Sequence, residues 1–179
     1  MTTWFTADTH FGHDNVIQYC QRPFASATEM DDQLIEIWNQ TVNPDDIIYH
    51  LGDFTLAGKK AAKVYFQHLN GRIHIVPGGH DKRWLGKQVY HSRSGHPVSI
   101  LSPLHTIKVS LPNVDQPQLI VLCHYSMRVW DRSHFGSWHL YGHSHGNLPP
   151  LEYSLDVGVD CWDYQPISLE TIYRELNLQ

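Results

Sequence analysis

The chain has 179 residues, a length that fits one compact domain with enough residues to bury a core. Hydrophobic residues make up 41% and charged residues 17%, a balance that excludes an intrinsically disordered chain. The formal net charge of -5 argues against a strongly basic surface, so long duplex nucleic acid is not an expected partner.

We expect neither a membrane span nor a secretory signal. No window approaches the roughly 18 uninterrupted apolar residues of a span, and the opening residues carry no positively charged segment. The three cysteines, Cys20, Cys123 and Cys161, lie far apart and form no CxxC pair. These features predict reduced cysteines and a cytoplasmic location.

The first half of the chain alternates strand and helix patterns in the order β-α-β-α-β. The predicted strands cover residues 2–7, 45–51 and 72–76. The predicted helices cover residues 28–40 and 58–71. Thr28 with Asp31 resembles a weak capping box at the start of the first helix, and Gly71 is the expected stop of the second. This order favours parallel strands with helices packed outside them.

The second half is richer in short strand patterns separated by Pro, Gly and Asn turns. The predicted strands cover residues 97–101, 105–111, 118–124, 137–145 and 154–160. A final helix is predicted over residues 168–176, and residues 111–118 are the best loop candidate. We therefore predict two sheets with outer helices in a single domain that spans residues 1–179.

Groups able to bind metals follow each of the clearest strands. They are Asp8 and His10, Asp53, His80 and Asp81, His124, and His143 with His145. Side chains two apart on an extended chain point to the same side, so Asp8/His10 and His143/His145 are each expected to form a pair. Since ligands of open α/β sheets bind beyond the carboxyl ends of the strands, these groups are expected to converge on one crevice.

Five short motifs in this order carry a family resemblance. "DTHFGH", "GD", "GGHD", "CH" and "GHSH" span residues 8–145 and resemble the signature of the calcineurin-like metallophosphoesterase superfamily, in particular its small bacterial and phage members. One motif alone would be a weak signal, whereas five in order are specific. The resemblance implies a four-layer αββα sandwich of two mixed β-sheets flanked by helices, in the α/β (α+β) class.

The resemblance also implies a dinuclear metal centre. Asp8, His10, Asp53 and His145 would hold one divalent ion, and Asp53, His124 and His143 would hold the other, with Asp53 as the bridge. Mn²⁺ is the expected metal, and the mixed oxygen and imidazole set also suits Fe, Ni or Zn. Two such ions would generate a hydroxide that attacks the phosphoester. His80 would be the catalytic histidine, and Asp81 would hold its ring.

The loop after the third strand departs from the family pattern at Gly79. The family has Asn at this position, whose amide oxygen binds the second metal beside the phosphate, and glycine offers no side chain. Losing a group that supports a metal ligand weakens a site about 10–100-fold, and losing a ligand should cost at least as much. We therefore expect a weakened, partly occupied second site, slower hydrolysis, or both.

The sequence leaves the substrate and the role of the chain partly open. A small phosphodiester, phosphomonoester or nucleotide is the expected substrate, and Arg22, Arg128, Arg132 and Gly79 are candidate contacts to it. Asp156 and Asp160 are predicted to be structural, closing strand ends near the site. One alternative is a protein-binding scaffold that keeps the fold around an impaired site. Another is a protein that binds a single metal ion without turnover.

Overall fold

The structure, a computed structural model, describes residues 1–111 and 116–177. Residues 112–115, the middle of the loop predicted over residues 111–118, lie outside the described residues. Gln118, the last residue of that predicted loop, is already the first residue of a strand.

The first sheet is mixed and has five strands. They are β1 (Thr3–Thr6), β2 (Ile47–His50), β3 (Arg72–Ile75), β4 (Ser99–Ile100) and β9 (Ile167–Ser168). Their order in the sheet is β4-β3-β2-β1-β9, and only β9 runs antiparallel to its neighbour. The helices of the first half of the chain are α1 (Asp14–Tyr19), α2 (Ala27–Thr41) and α3 (Lys59–His68).

The second sheet is also mixed and has four strands. They are β5 (Leu104–Val109), β6 (Gln118–Cys123), β7 (Trp138–Tyr141) and β8 (Ser154–Asp156), in that order across the sheet. The strand β5 runs antiparallel to β6, and the other pairs are parallel. The last helix, α4 (Leu169–Asn177), contacts β1, β8 and β9. Within residues 1–111 and 116–177, no helix combines the length and apolar character needed to cross a membrane.

Two buried clusters hold the layers together. The first lies between α2, α3 and the first sheet, where Leu34 and Trp38 meet Phe66 and Ile73. The second lies between the two sheets and includes Phe5 and Leu140. Burial of each such side chain contributes about 1.5–3 kcal/mol. The predicted sandwich of two mixed sheets flanked by helices, in one domain, is confirmed.

Local details differ from the sequence prediction at helix ends and in short elements. The capping residue of α2 is Ser26, whose hydroxyl accepts from the Glu29 N–H, so the predicted Thr28 and Asp31 box is wrong. Helix α3 ends at His68, before Gly71, because Leu69 already has an extended backbone. The six-residue α1 and the two-residue β9 were not predicted, since both are too short to show a hydrophobic period.

Candidate metal centre

Five loops meet at one edge of the sandwich, where parallel strands of both sheets end. The loops after β1, β2 and β3 carry Asp8, Asp53 and His80, and those after β6 and β7 carry His124 and His143. Parallel strands place their carboxyl ends on the same edge of a sheet, which explains this convergence.

Five of the six predicted metal ligands have a left-handed backbone. Their φ angles are 59° at Asp8, 50° at His10, 55° at Asp53, 68° at His143 and 48° at His145. Such a conformation costs about 1–3 kcal/mol per residue and clusters at functional sites. These residues are therefore not on an extended chain: Asp8 and His10 still meet in one group, as predicted for a pair, whereas His143 and His145 belong to different groups.

Asp8, His10 and His145 form what we call the first ligand group, with ligand atoms within 4.8 Å of one another. Asp8 is fully buried, and its Oδ2 accepts from the His143 N–H at 2.7 Å while Oδ1 has no partner. Neither ring nitrogen of His10 has a hydrogen-bond partner. Burial lowers the pKa of His10 to about 2, so the ring is neutral and offers a lone pair.

Asp53, His124 and His143 form the second ligand group, also within 4.8 Å of one another. His124 is buried, and its Nδ1 lies 2.8 Å from the Leu51 carbonyl oxygen. As a carbonyl only accepts, Nδ1 carries a proton, and in the neutral ring Nε2 offers its lone pair. Burial favours that neutral ring, but the Asp53 carboxylate raises the pKa of His124, so a metal ion at Nε2 would displace a proton. His143 is exposed, so this group opens towards solvent.

The Asp53 carboxylate lies between the two groups. Its Oδ2 is 3.8 Å from His10 Nε2 and 3.3 Å from His124 Nε2, and its Oδ1 accepts from the His80 N–H at 2.9 Å. Burial alone would raise the pKa of Asp53, but His124 and the His80 N–H hold it well below its usual range. Asp53 is thus an ionised carboxylate adjacent to ligands of both groups.

Three buried atoms at this junction fit a bound cation. Asp8 Oδ1, His10 Nε2 and His124 Nε2 have no hydrogen-bond partner, although buried polar atoms are almost always paired. Carboxylate oxygens and imidazole nitrogens are ligands for divalent transition metals. The described residues therefore include groups that could hold a metal ion.

Glycines allow the loops to approach the carboxylates this closely. A Cβ at Gly142 would lie 2.6 Å from Asp8 Oδ2, and one at Gly78 would overlap the backbone nitrogen of Asp53. Any larger residue at either position would displace a ligand.

Asp160 connects the first ligand group to a buried arginine. Its Oδ2 accepts from His145 Nδ1 at 2.6 Å, which leaves His145 Nε2 free to bind a metal. Arg22 donates to both Asp160 oxygens at 2.7 and 2.8 Å, and also to the backbone oxygens of Asp8 and Thr9. Asp160 therefore orients His145, a role that the residue pattern does not predict.

The prediction that Arg22 contacts substrate is wrong. Its side chain is buried, and its guanidinium is fully engaged with Asp160 and the backbone of the first loop. Arg22 instead holds this loop and neutralises Asp160.

Asp81 also has a different role from the one predicted. Its carboxylate accepts from the N–H groups of Asp53, Phe54 and Gly78 and from Trp84 Nε1, at 2.7–3.0 Å. All four donors lie in loops that surround Asp53, and none belongs to His80. Asp81 therefore fixes the Asp53 loop and does not hold the His80 ring.

His80 lies at the solvent side of the centre. Its Nε2 is 3.8 Å from Asp53 Oδ2, and its side chain is 48% exposed. Its ring centroid is 5.5 Å from that of His10 and 6.4 Å from that of His13. An exposed imidazole beside the shared carboxylate can reach a molecule bound there.

The other candidate substrate contacts, Arg128, Arg132 and Gly79, lie in different parts of the structure. Arg128 lines a surface groove with Trp130 and Tyr153, and none of the predicted ligands is among the described residues of that groove. Arg132 is exposed at the turn that follows. Gly79, by contrast, lies in the loop between Gly78 and His80, which wraps Asp53.

The fold and the two ligand groups define the chain as a two-sheet α/β protein with a candidate metal centre. No family model matches it. The uncharacterized protein MJ1445 of Methanocaldococcus jannaschii is 31% identical over 180 residues, which cover 96% of this chain and 89% of that protein. The chain belongs to the same family as MJ1445.

Two further comparisons cover nearly the whole chain. The gene 66 protein of Mycobacterium phage L5 is 25% identical over 197 residues, covering 98% of this chain and 94% of the phage protein. The crystal structure of the protein of unknown function AQ665 from Aquifex aeolicus aligns with a TM-score of 0.71 at 22% identity. It covers 97% of this chain and 98% of that one, and it shows the same fold.

Replacing Asp81 by Asn should destabilise the loops around Asp53. An amide cannot accept from all four donors, and each buried N–H left unpaired costs about 1–3 kcal/mol. We expect the Tm to fall by roughly 3–10 °C, measured by thermal denaturation. The matched control is Asp131→Asn, an exposed Asp whose replacement makes the same charge change. Equal Tm values for Asp81→Asn and the control would contradict the role given to Asp81.

The protonation of Asp8 should couple metal binding to pH. Burial raises the pKa of Asp8 to about 7 from an ordinary value of 3.8, although His124 and His145 oppose the rise. Without metal, the folded protein therefore favours the protonated form of Asp8 and is more stable at low pH. This contribution to stability is lost as the pH rises through about 7. After chelator treatment, the Tm of the wild type should fall between pH 5 and pH 8 relative to that of Asp8→Asn.

Added Mn²⁺ should stabilise the wild type more at pH 8 than at pH 5. At pH 5 Asp8 is protonated, and the ion must displace that proton before it can bind. Parallel Tm profiles for wild type and Asp8→Asn would contradict the raised pKa.

Proposed function

We propose that the protein is a metal-dependent phosphoesterase, most readily a phosphodiesterase, and a member of the calcineurin-like metallophosphoesterase superfamily. The observation that carries this proposal is the position of Asp53, one ionised carboxylate between two groups of metal ligands. Sites with a pair of divalent ions sharing a ligand are typical of phosphate-ester hydrolysis.

Each ligand group would hold one metal ion in the proposed centre. Asp8, His10 and His145 would hold one ion, His124 and His143 the other, and Asp53 would contact both. When bound, two divalent ions supply the charge that holds a phosphoryl group and activates the attacking water. Mn²⁺ is our proposed metal, although Fe, Ni and Zn also suit these ligands and the ligand set alone does not select among them.

The protein's own side chains would orient the reactants and move the proton. Asp160 fixes His145, and the Leu51 carbonyl fixes His124, so that Nε2 of each ring stays free. His80 reaches the same region from the solvent side and would donate its Nε2 proton to the leaving oxygen as the P–O bond breaks. We propose a small phosphodiester, phosphomonoester or nucleotide as substrate. The centre is open to solvent at His80 and His143, and the net charge of -5 argues against a long nucleic acid.

The second ligand group supports two alternatives. It has three ligands, one of them exposed, and Gly79 adds no side-chain oxygen. A protein that holds one ion without turnover, or a protein-binding scaffold, would show such a group. Metal stoichiometry together with turnover separates these functions from the esterase. We also propose a cytoplasmic location, which agrees with the three free cysteines.

Hydrolysis of bis(p-nitrophenyl) phosphate by metal-stripped protein reloaded with Mn²⁺ tests the proposal. Asp53→Asn should lower the rate at least about 100-fold, because the neutral amide would bind both ions more weakly than the carboxylate does. His80→Ala should keep the bound metal and lower kcat by about 10²–10⁴-fold. The control Asp163→Asn, at an exposed position, should match the wild type.

Turnover that survives Asp53→Asn would show that another activity is being measured. Protein that binds Mn²⁺ but hydrolyses neither the diester nor p-nitrophenyl phosphate would contradict the esterase function. That result would favour a metal-binding protein or a protein-binding scaffold.

A further inference from the structure

Tyr125 lies over the second ligand group. Its ring centroid is 4.8 Å from that of His124 and 4.8 Å from that of His143, with interplanar angles of 72° and 71°. The residue is 48% exposed, so one side of it faces solvent. Two ligand rings thus hold the phenol at the open side of the centre.

The hydroxyl of Tyr125 lies against Gly79. A Cβ built on Gly79 would be 3.0 Å from Tyr125 Oη, closer than an ordinary van der Waals contact. The φ angle of Gly79 is not positive, so its backbone conformation does not itself require glycine. The space that a side chain at position 79 would enter is therefore bordered by the Tyr125 hydroxyl.

This position is close to the shared carboxylate. The residues on either side of Gly79 both lie against Asp53: a Cβ built on Gly78 would overlap the Asp53 backbone nitrogen, and the His80 N–H donates to Asp53 Oδ1. A phosphoryl oxygen bound at the second ligand group would lie near this loop. A phenol hydroxyl can donate a hydrogen bond to such an anion, which glycine cannot do through a side chain.

We propose that Tyr125 is a substrate-binding residue whose hydroxyl donates a hydrogen bond to a phosphoryl oxygen at the second ligand group. The inference rests on the proposed phosphoesterase function. Gly79 and Tyr125 then act as a pair, because a small residue at one position leaves room for the hydroxyl of the other.

Tyr125→Phe removes only the hydroxyl and keeps the ring on His124 and His143. In Mn²⁺-loaded protein, we expect inorganic phosphate to bind about 10–100-fold more weakly, as measured by calorimetry. The Mn²⁺ content and the Tm should not change, and KM for the diester should rise. Tyr19→Phe, at a position 77% exposed, is the matched control and should behave as the wild type.

Gly79→Ala provides a second, independent variant that adds no metal ligand. Its Cβ would lie 3.0 Å from Tyr125 Oη, so the hydroxyl must shift and phosphate binding should weaken in the wild-type background. In the Tyr125→Phe background the same change should cost much less, since no hydroxyl remains to be displaced. This non-additivity is the expected sign of a pair in contact.

The outcomes separate the two proposals. Wild-type protein that binds phosphate while Tyr125→Phe binds it equally well overturns the role of Tyr125 and leaves the esterase intact. Mn²⁺-loaded wild type that binds no phosphate and hydrolyses no ester overturns both.

Discussion

The ionised Asp53 carboxylate, buried between two groups of imidazole and carboxylate ligands, is the constraint on which the rest of the centre depends. A buried charge is costly unless it is paired and hydrogen-bonded. The protein supplies part of that compensation through the His80 N–H, yet Asp8 Oδ1, His10 Nε2 and His124 Nε2 remain without hydrogen-bond partners. One cation at the first ligand group would satisfy Asp8 and His10, and one at the second would satisfy His124, which is the physical basis of the proposed metal centre.

The surrounding structure stabilises this arrangement at some cost. Five of the six predicted ligands have a left-handed backbone, and each such residue costs about 1–3 kcal/mol. Asp81 offsets part of that cost by accepting four hydrogen bonds from loops around Asp53. On the other side, Arg22 and Asp160 tie the first loop to His145. Both carboxylates act through groups that they hold in place.

The sequence predicts the two sheets and the residues that the fold brings together in the two ligand groups, because both follow local patterns. Apolar runs mark the strands, and the groups that follow each run mark the edge where the loops meet. The roles of Arg22, Asp81, Asp160 and Tyr125 depend instead on partners distant in the chain: Arg22 and Asp160 are 138 positions apart, and Asp53 and Asp81 are 28 apart. No local pattern reports such a contact, so Arg22 was mistaken for a substrate contact and Asp81 for the partner of His80.

Anomalous X-ray diffraction from crystals of the protein grown or soaked with Mn²⁺ tests the proposed pair of metal ions. We expect two anomalous peaks on either side of the Asp53 carboxylate, one beside Asp8, His10 and His145 and the other beside His124 and His143. The second peak should be the weaker one. Absence of a peak at Asp53 in metal-saturated crystals, or a single peak beside Cys20, His145 and Asp160, would contradict the proposed pair.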